Sequence, residues 1–246
     1  MGKFLSTVTR GKQTLPRRTI LYGTHGIGKT TWASEWPSPV FIQTEDGCSD
    51  LDVARFPLCE TLEDAWGAVM ELGGNEPHEF KTVVVDSADW LEQLIWQNIC
   101  VKNDKKAVTD FDFGKGYGLA AAIFGKVLSA LDVCRAGGMH VVILAHCEVI
   151  KFTDPTADSY DRYVPKLHKT TSGLLQEWGD EVLFANYKRY VRQEDLGFQK
   201  KRGIAGGDER VLHTQEGPGF LAKNRLGLPP EMALDFSVYE QFLSSK

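Results

Sequence analysis

The sequence predicts an α/β fold: a mostly parallel central sheet flanked by helices, with an antiparallel extension toward the C-terminus. Three observations carry this. Between residues 18 and 147, short apolar runs alternate with longer amphipathic stretches, the rhythm of strand–helix–strand units. The runs are continuously apolar, as in a sheet covered on both faces. After Cys147 the texture changes to short hairpin-like pieces.

Residues 1–17 hold Lys3, Arg10, Lys12 and Arg17 without an acid and read as a basic arm, with room for a short β element, before one domain over 18–246. Residues 19–22 form the first strand, followed by a glycine-rich turn and a helix from 29 to about 35 that Pro37 and Pro39 end. Residues 40–44 are the next strand. Apolar residues spaced near i, i+3, i+4 and i+7 predict a helix over 62–72, stopped by Gly73 and Gly74. A β-branched strand at 82–85 precedes a helix over 90–100. The polar stretch 102–118 leads to a helix over 119–135, and 140–145 is a further apolar strand. Hairpin-like pieces follow at 148–153, 162–164, 181–185, 189–192 and 210–213.

Composition narrows the function. With 42% hydrophobic and 25% charged residues, the chain is neither disordered, collagen-like nor a coiled-coil rod. It has no run of eighteen apolar residues, so no membrane span is expected and the cytoplasm is the expected location. Five scattered cysteines without a C-x-x-C pair are expected to be reduced packing residues. The formal charge of −5 weighs against coating duplex DNA through bulk electrostatics but leaves a local basic groove open.

Gly23-Thr24-His25-Gly26-Ile27-Gly28-Lys29-Thr30 fits G-x-x-x-x-G-K-[ST], between a strand and a helix that continues through Thr31. Its glycines let backbone N–H groups converge on phosphate oxygens, and the helix start adds positive potential. Lys29 is expected on the β- and γ-phosphates of ATP and the Thr30 hydroxyl on Mg²⁺. Asp86 closes the strand Val83-Val84-Val85 and supplies the second metal-holding acid. Ser87 follows it, so a water-activating base must come from elsewhere. Glu45, at the end of the strand 40–44, is the candidate, with Asp46 its neighbouring rival.

Together, the P-loop strand, Phe41-Ile42-Gln43-Thr44-Glu45-Asp46-Gly47 and Val-Val-Val-Asp86-Ser87 resemble the core ATPase domain of RecA-type recombinases. Size and the lack of a long N-terminal domain are most like the core-only RecA-like proteins of bacteriophages, grouped with single-strand annealing proteins. The resemblance spans roughly residues 18 to 225. It implies that Glu45 is catalytic, that His146 is the γ-phosphate sensor, and that the host cytoplasm is the location. It also implies that two polar segments face single-stranded DNA. The first carries Lys102, Lys105, Lys106 and Lys115 beside Phe111, Phe113 and Tyr117; the second carries Lys151, Arg162, Lys166 and Lys169 beside Phe152, Tyr160 and Tyr163. Cations that follow phosphates and aromatics that stack on bases suit sequence-tolerant binding. Lys223 and Arg225 resemble a Lys-x-Arg element that enters a neighbouring subunit's site in RecA-like rings, which implies a homo-oligomeric ring or filament.

The leading expectation is an ATP- and Mg²⁺-dependent protein that binds single-stranded DNA and promotes annealing or strand pairing, with a single-stranded DNA-binding protein as a further partner. The alternatives are a ring-forming helicase or translocase motor and a nucleotide-gated interaction module that loads a replication protein.

Overall fold

The computed structural model describes residues 4–11, 15–155, 158–188, 190–195 and 201–244. In chain order the elements are β1 (Arg18–Gly23), α1 (Lys29–Ser34), β2 (Pro39–Gln43), β3 (Ala54–Arg55), α2 (Leu62–Leu72), β4 (Thr82–Asp86), α3 (Ala88–Lys102), α4 (Lys115–Ala136) and β5 (His140–Phe152). Then come β6 (Tyr160–Pro165), α5 (Lys169–Trp178), β7 (Glu181–Tyr187), β8 (Tyr190–Asp195), β9 (Lys201–Gly206), β10 (Arg210–His213), β11 (Lys223–Asn224), β12 (Glu231–Ala233) and α6 (Phe236–Ser244).

Six strands run parallel in the order β7-β1-β5-β4-β2-β3. β10 and β11 pair antiparallel with β7, and β12 extends the sheet beyond β10, which is the predicted antiparallel extension. β6 folds back on the far half of β5, and β8 pairs with β9. The P-loop strand β1 and the Asp86 strand β4 are therefore not neighbours: β5 lies between them and brings His146 to the middle of the edge.

Both sheet faces are covered, which is why the strands read as continuously apolar. Ile20 and Tyr22 of β1, Val83 and Val85 of β4, Ile143 and Ala145 of β5, and Val182 and Phe184 of β7 face the layer of α2, α3, α4 and α5. The intervening Leu21, Val84, Leu144 and Leu183 face α1 and α6, where Trp32, Trp36, Phe236 and Tyr239 pack edge to face. Among the described residues α4, with the turn before it, is the one stretch long and apolar enough to cross a membrane. It packs instead against α2, α3 and α5, with Phe124, Leu128 and Leu131 buried in the core.

Several boundaries differ from the sequence expectations. α3 and α4 begin earlier, at Ala88 and Lys115, and β5 runs on from the predicted strand into the piece at 148–153. The segment 181–185 is no hairpin: β7 lies parallel to β1, reached through α5, which the sequence pattern does not announce. In the arm, Leu5–Thr7 form a 3-10 turn in place of a β element, while Arg17 pairs with Glu181 and donates its backbone N–H to His140 Nδ1 at 2.9 Å. Lys3, Lys12 and Arg189 lie outside the described residues. All five cysteines are free; burial pushes the thiol of Cys48 up to about 12 and those of Cys59 and Cys134 up to about 11, so they pack as inert groups.

Candidate active site

The carboxyl ends of β1, β2 and β4 lie side by side with the middle of β5, at the edge where parallel α/β sheets bind ligands. Gly23 ends β1 against β7 so closely that a Cβ there would lie 2.3 Å from the Ala185 carbonyl oxygen. Only glycine fits that approach. Gly28, at φ +104°, then turns the chain into α1 through a left-handed conformation that side chains disfavour. On the neighbouring strands, the N–H groups of Thr44 and Glu45 donate to the Asp86 carbonyl at 2.7 and 3.2 Å. The Thr44 hydroxyl donates to the Ser87 carbonyl and accepts from the Ser87 N–H, both at 2.7 Å. This lacing fixes Glu45 relative to Asp86.

Lys29 is buried, and its ammonium donates to the carbonyls of Gly23 and Thr24 at 3.3 and 3.2 Å. Burial lowers its pKa against the pull of Asp86, Glu45 and Asp89. Among the described residues, the hydrogen bonds of this buried ammonium go to carbonyls, which leaves its charge suited to an anion. Thr24 Oγ1 is buried in the same loop without a hydrogen-bond partner. The Thr30 hydroxyl donates to Asp86 Oδ2 at 2.8 Å, so a hydroxyl and a carboxylate meet at one point. Burial raises the Asp86 pKa to about 6, with the Thr30 hydrogen bond opposing it. Gly47 sits over the pair, its would-be Cβ 3.5 Å from Asp86 Oδ2 and 3.8 Å from Thr30 Oγ1. Two hard oxygen donors under a side-chain-free loop fit a magnesium ion.

Glu45 is partly exposed, with Oε1 3.7 Å from His146 Nε2. Asp46 is exposed and accepts from the Ser49 hydroxyl at 2.5 Å, within its own loop. His146 is buried where β5 passes the edge. Its ring Nδ1 lies 2.9 Å from Asp89 Oδ2, and its backbone N–H donates to Asp89 Oδ1 at 3.0 Å. His25 stacks on the His146 ring at 4.2 Å between centroids. The neighbouring His146 ring, burial and the ammonium groups of Lys29 and Lys166 lower the His25 pKa.

The predicted residues Gly23 to Thr31, Glu45, Asp86 and His146 thus converge. The others sit apart or are used differently. Lys105, Lys106, Lys115, Lys151, Lys166 and Lys169 are exposed, whereas Lys102 pairs with Glu63 at 3.3 Å. The second segment is built on the β-hairpin of β5 and β6, which matches the hairpin-like pieces expected at 148–153 and 162–164. Arg162 is buried in it, ion-paired with Glu216 and 4.9 Å over the Phe152 ring, and is a structural cation of that hairpin. Lys223 Nζ donates to the carbonyls of Gln176, Glu177 and Gly179 at the end of α5, so it closes its own chain's helix in this structure. Arg225 lies 3.6 Å from Asp180 with more than half of its side chain exposed.

Two residues that no sequence motif marks belong to the site. Asp89 holds His146, and the Arg210 guanidinium donates to the Ile27 carbonyl of the P-loop at 3.4 Å.

A family model described as an AAA domain matches residues 15–226, and the chain belongs to that family of AAA-type P-loop domains. No curated protein sequence matches the chain. Among solved structures, it is similar to the crystal structure of the RadB recombinase, with a TM-score of 0.43 and 13% identity over 86% of this chain and 92% of that one.

Proposed function

We propose that this protein is an ATP- and Mg²⁺-dependent RecA-like ATPase that binds single-stranded DNA and promotes annealing or strand pairing, like the core-only bacteriophage proteins its motifs resemble. The observation that carries the nucleotide half is the convergence of Lys29, Thr30, Asp86 and Glu45 at one sheet edge. Lys29 holds the β- and γ-phosphates, Thr30 and Asp86 hold the magnesium ion, and Glu45 orients the attacking water. Magnesium, when bound, neutralises charge developing on the phosphates.

Support for DNA binding comes from the segment before α4. Phe113 there is wholly exposed, with a left-handed backbone at φ 53°, on the same stretch as the exposed Lys105, Lys106 and Lys115. A large apolar residue in that conformation is held against its own preference, as residues at binding sites often are. Annealing of complementary oligonucleotides tests the reading: it should need ATP, be lost in Lys29→Ala, and weaken in Phe113→Ala. Assembly is proposed through Arg225, the more accessible member of the Lys-x-Arg pair, acting on a neighbouring copy together with Lys223 if the latter leaves α5.

A second reading, a nucleotide-gated module that docks a replication protein, is favoured by the same exposed Phe113 and by Val101, 81% exposed at the end of α3, in a chain of net charge −5. Loss of DNA binding in Phe113→Ala separates it from the first.

A further inference from the structure

We propose that His146 is a second acceptor for the attacking water, opposite Glu45, and that Asp89 is the positioning residue that sets its ring for that task. The inference rests on the ATPase reading above and gives His146 a different part from that of a γ-phosphate sensor.

Asp89 receives two donors from one residue: the backbone N–H of His146 at Oδ1, 3.0 Å away, and the ring at Oδ2, 2.9 Å away. Burial pushes the Asp89 carboxyl pKa up, but the His146 hydrogen bonds outweigh burial and hold it below the usual carboxylate range. An ionised carboxylate only accepts, so ring Nδ1 carries the hydrogen. In a neutral imidazole the other nitrogen, Nε2, is then a bare acceptor. A ring whose donor is committed to Asp89 has no second hydrogen to offer a phosphate oxygen.

Nε2 faces Glu45 Oε1 across 3.7 Å, too far for a direct hydrogen bond. Two acceptors at that spacing can share one donor placed to the side of the line that joins them, within hydrogen-bond reach of both. A water supplies two O–H groups, one to each, and turns its remaining lone pairs outward. Around the ring stand Glu45 from the loop after β2, Asp89 from α3, Asp86 from β4, His25 and Lys29 from the P-loop, and Lys166, whose N–H donates to the His146 carbonyl at 2.9 Å. His25 stacked on the ring and Asp89 bonded to it leave little freedom to rotate.

In the hydrolytic step the water oxygen forms a bond to the γ-phosphorus as the bond to the β–γ bridging oxygen breaks. That electron pair stays on the departing ADP. One water proton passes to Glu45 or to Nε2 and is later lost to phosphate or solvent; the other stays on the phosphate product.

The first test needs no nucleotide and no variant. Long-range ¹H–¹⁵N correlation spectra of the full chain at neutral pH should show His146 protonated at Nδ1 and bare at Nε2. A ring protonated at Nε2, alone or together with Nδ1, would overturn the proposal. The second test is kinetic. His146→Ala should lower kcat by about 10²-fold or more with KM for ATP nearly unchanged, and added imidazole should restore part of it. The double variant Glu45→Gln/His146→Ala should lose much less than the product of the two single losses, because both residues act on one water. Fully multiplied losses, or a wild-type rate in His146→Ala, would overturn this inference alone. An unaltered protein that binds ATP and never hydrolyses it would bring down the ATPase reading and this inference with it.

Discussion

Asp86 carries opposing demands. In the proposed role it must be charged to hold magnesium with Thr30, yet it is 1% exposed, and burial pushes its pKa up to about 6 from an ordinary 3.8. Because the fold favours the protonated form, the stability it lends is complete below pH 4 and is lost as pH rises through 6. At pH 7 the fold bears a buried charge at a cost of about 3 kcal/mol. Asp86→Asn, measured without nucleotide or magnesium, should therefore stabilise the protein by about 1–3 kcal/mol. The same change should abolish magnesium-dependent nucleotide binding. A carboxamide that leaves the thermal midpoint unchanged and preserves binding would show that Asp86 is not the metal-holding acid. Glu45 has a different signature. Glu45→Gln should retain ATP binding and lose turnover by about 10²- to 10⁴-fold, read as phosphate release. A variant with normal turnover would return the role to Asp46 or another acid.

At the scale of elements, β1 and β7 form a seam with no room for a side chain on the P-loop's first glycine. Gly23→Ala would place a methyl group 2.3 Å from the Ala185 carbonyl, so the strands must part. A loss of about 1–3 kcal/mol in urea unfolding is expected, together with weaker nucleotide binding. Unchanged stability would mean that the seam yields freely. The same seam marks the limit of what local pattern reveals. Strands β1, β2 and β4 and helix α2 were legible because apolar runs and helical spacing mark them locally. The direction of β7 was not, because it depends on α5, the crossover that a parallel connection requires. α5 opens Lys169-Thr170-Thr171-Ser172-Gly173, residues of mostly weak helix preference, and its buried face carries Thr171 and Ser172 beside Leu175 in place of an apolar stripe. With α5 unseen, consecutive short strands look like hairpins. The candidate site divides the same way. Lys29, Glu45, Asp86 and His146 stand at or just past the ends of apolar runs, so their meeting at one edge could be foreseen. Asp89 meets His146 across 57 residues and Arg210 meets the P-loop across 183, and no local pattern announces either meeting.

Over the whole molecule, the balance of charge constrains the DNA binding proposed above. A net charge of −5 repels a polyanion at long range, so affinity must come from the short-range lysines of the edge loops and from stacking. Replacing Lys105, Lys106 and Lys115 together by alanine should weaken oligonucleotide binding and shallow its salt dependence by roughly 0.7 in log–log slope for each phosphate no longer neutralised. An unchanged slope would place the DNA elsewhere. The claim that nucleotide and DNA binding are coupled is tested most directly by fluorescence anisotropy of a labelled single-stranded oligonucleotide at two salt concentrations, without nucleotide, with ADP, and with a slowly hydrolysed ATP analogue, magnesium being present throughout. Tighter binding with the analogue than with ADP or no nucleotide, weakening as salt rises, is the predicted result. Equal affinity in all three states, or no binding in any, would contradict it.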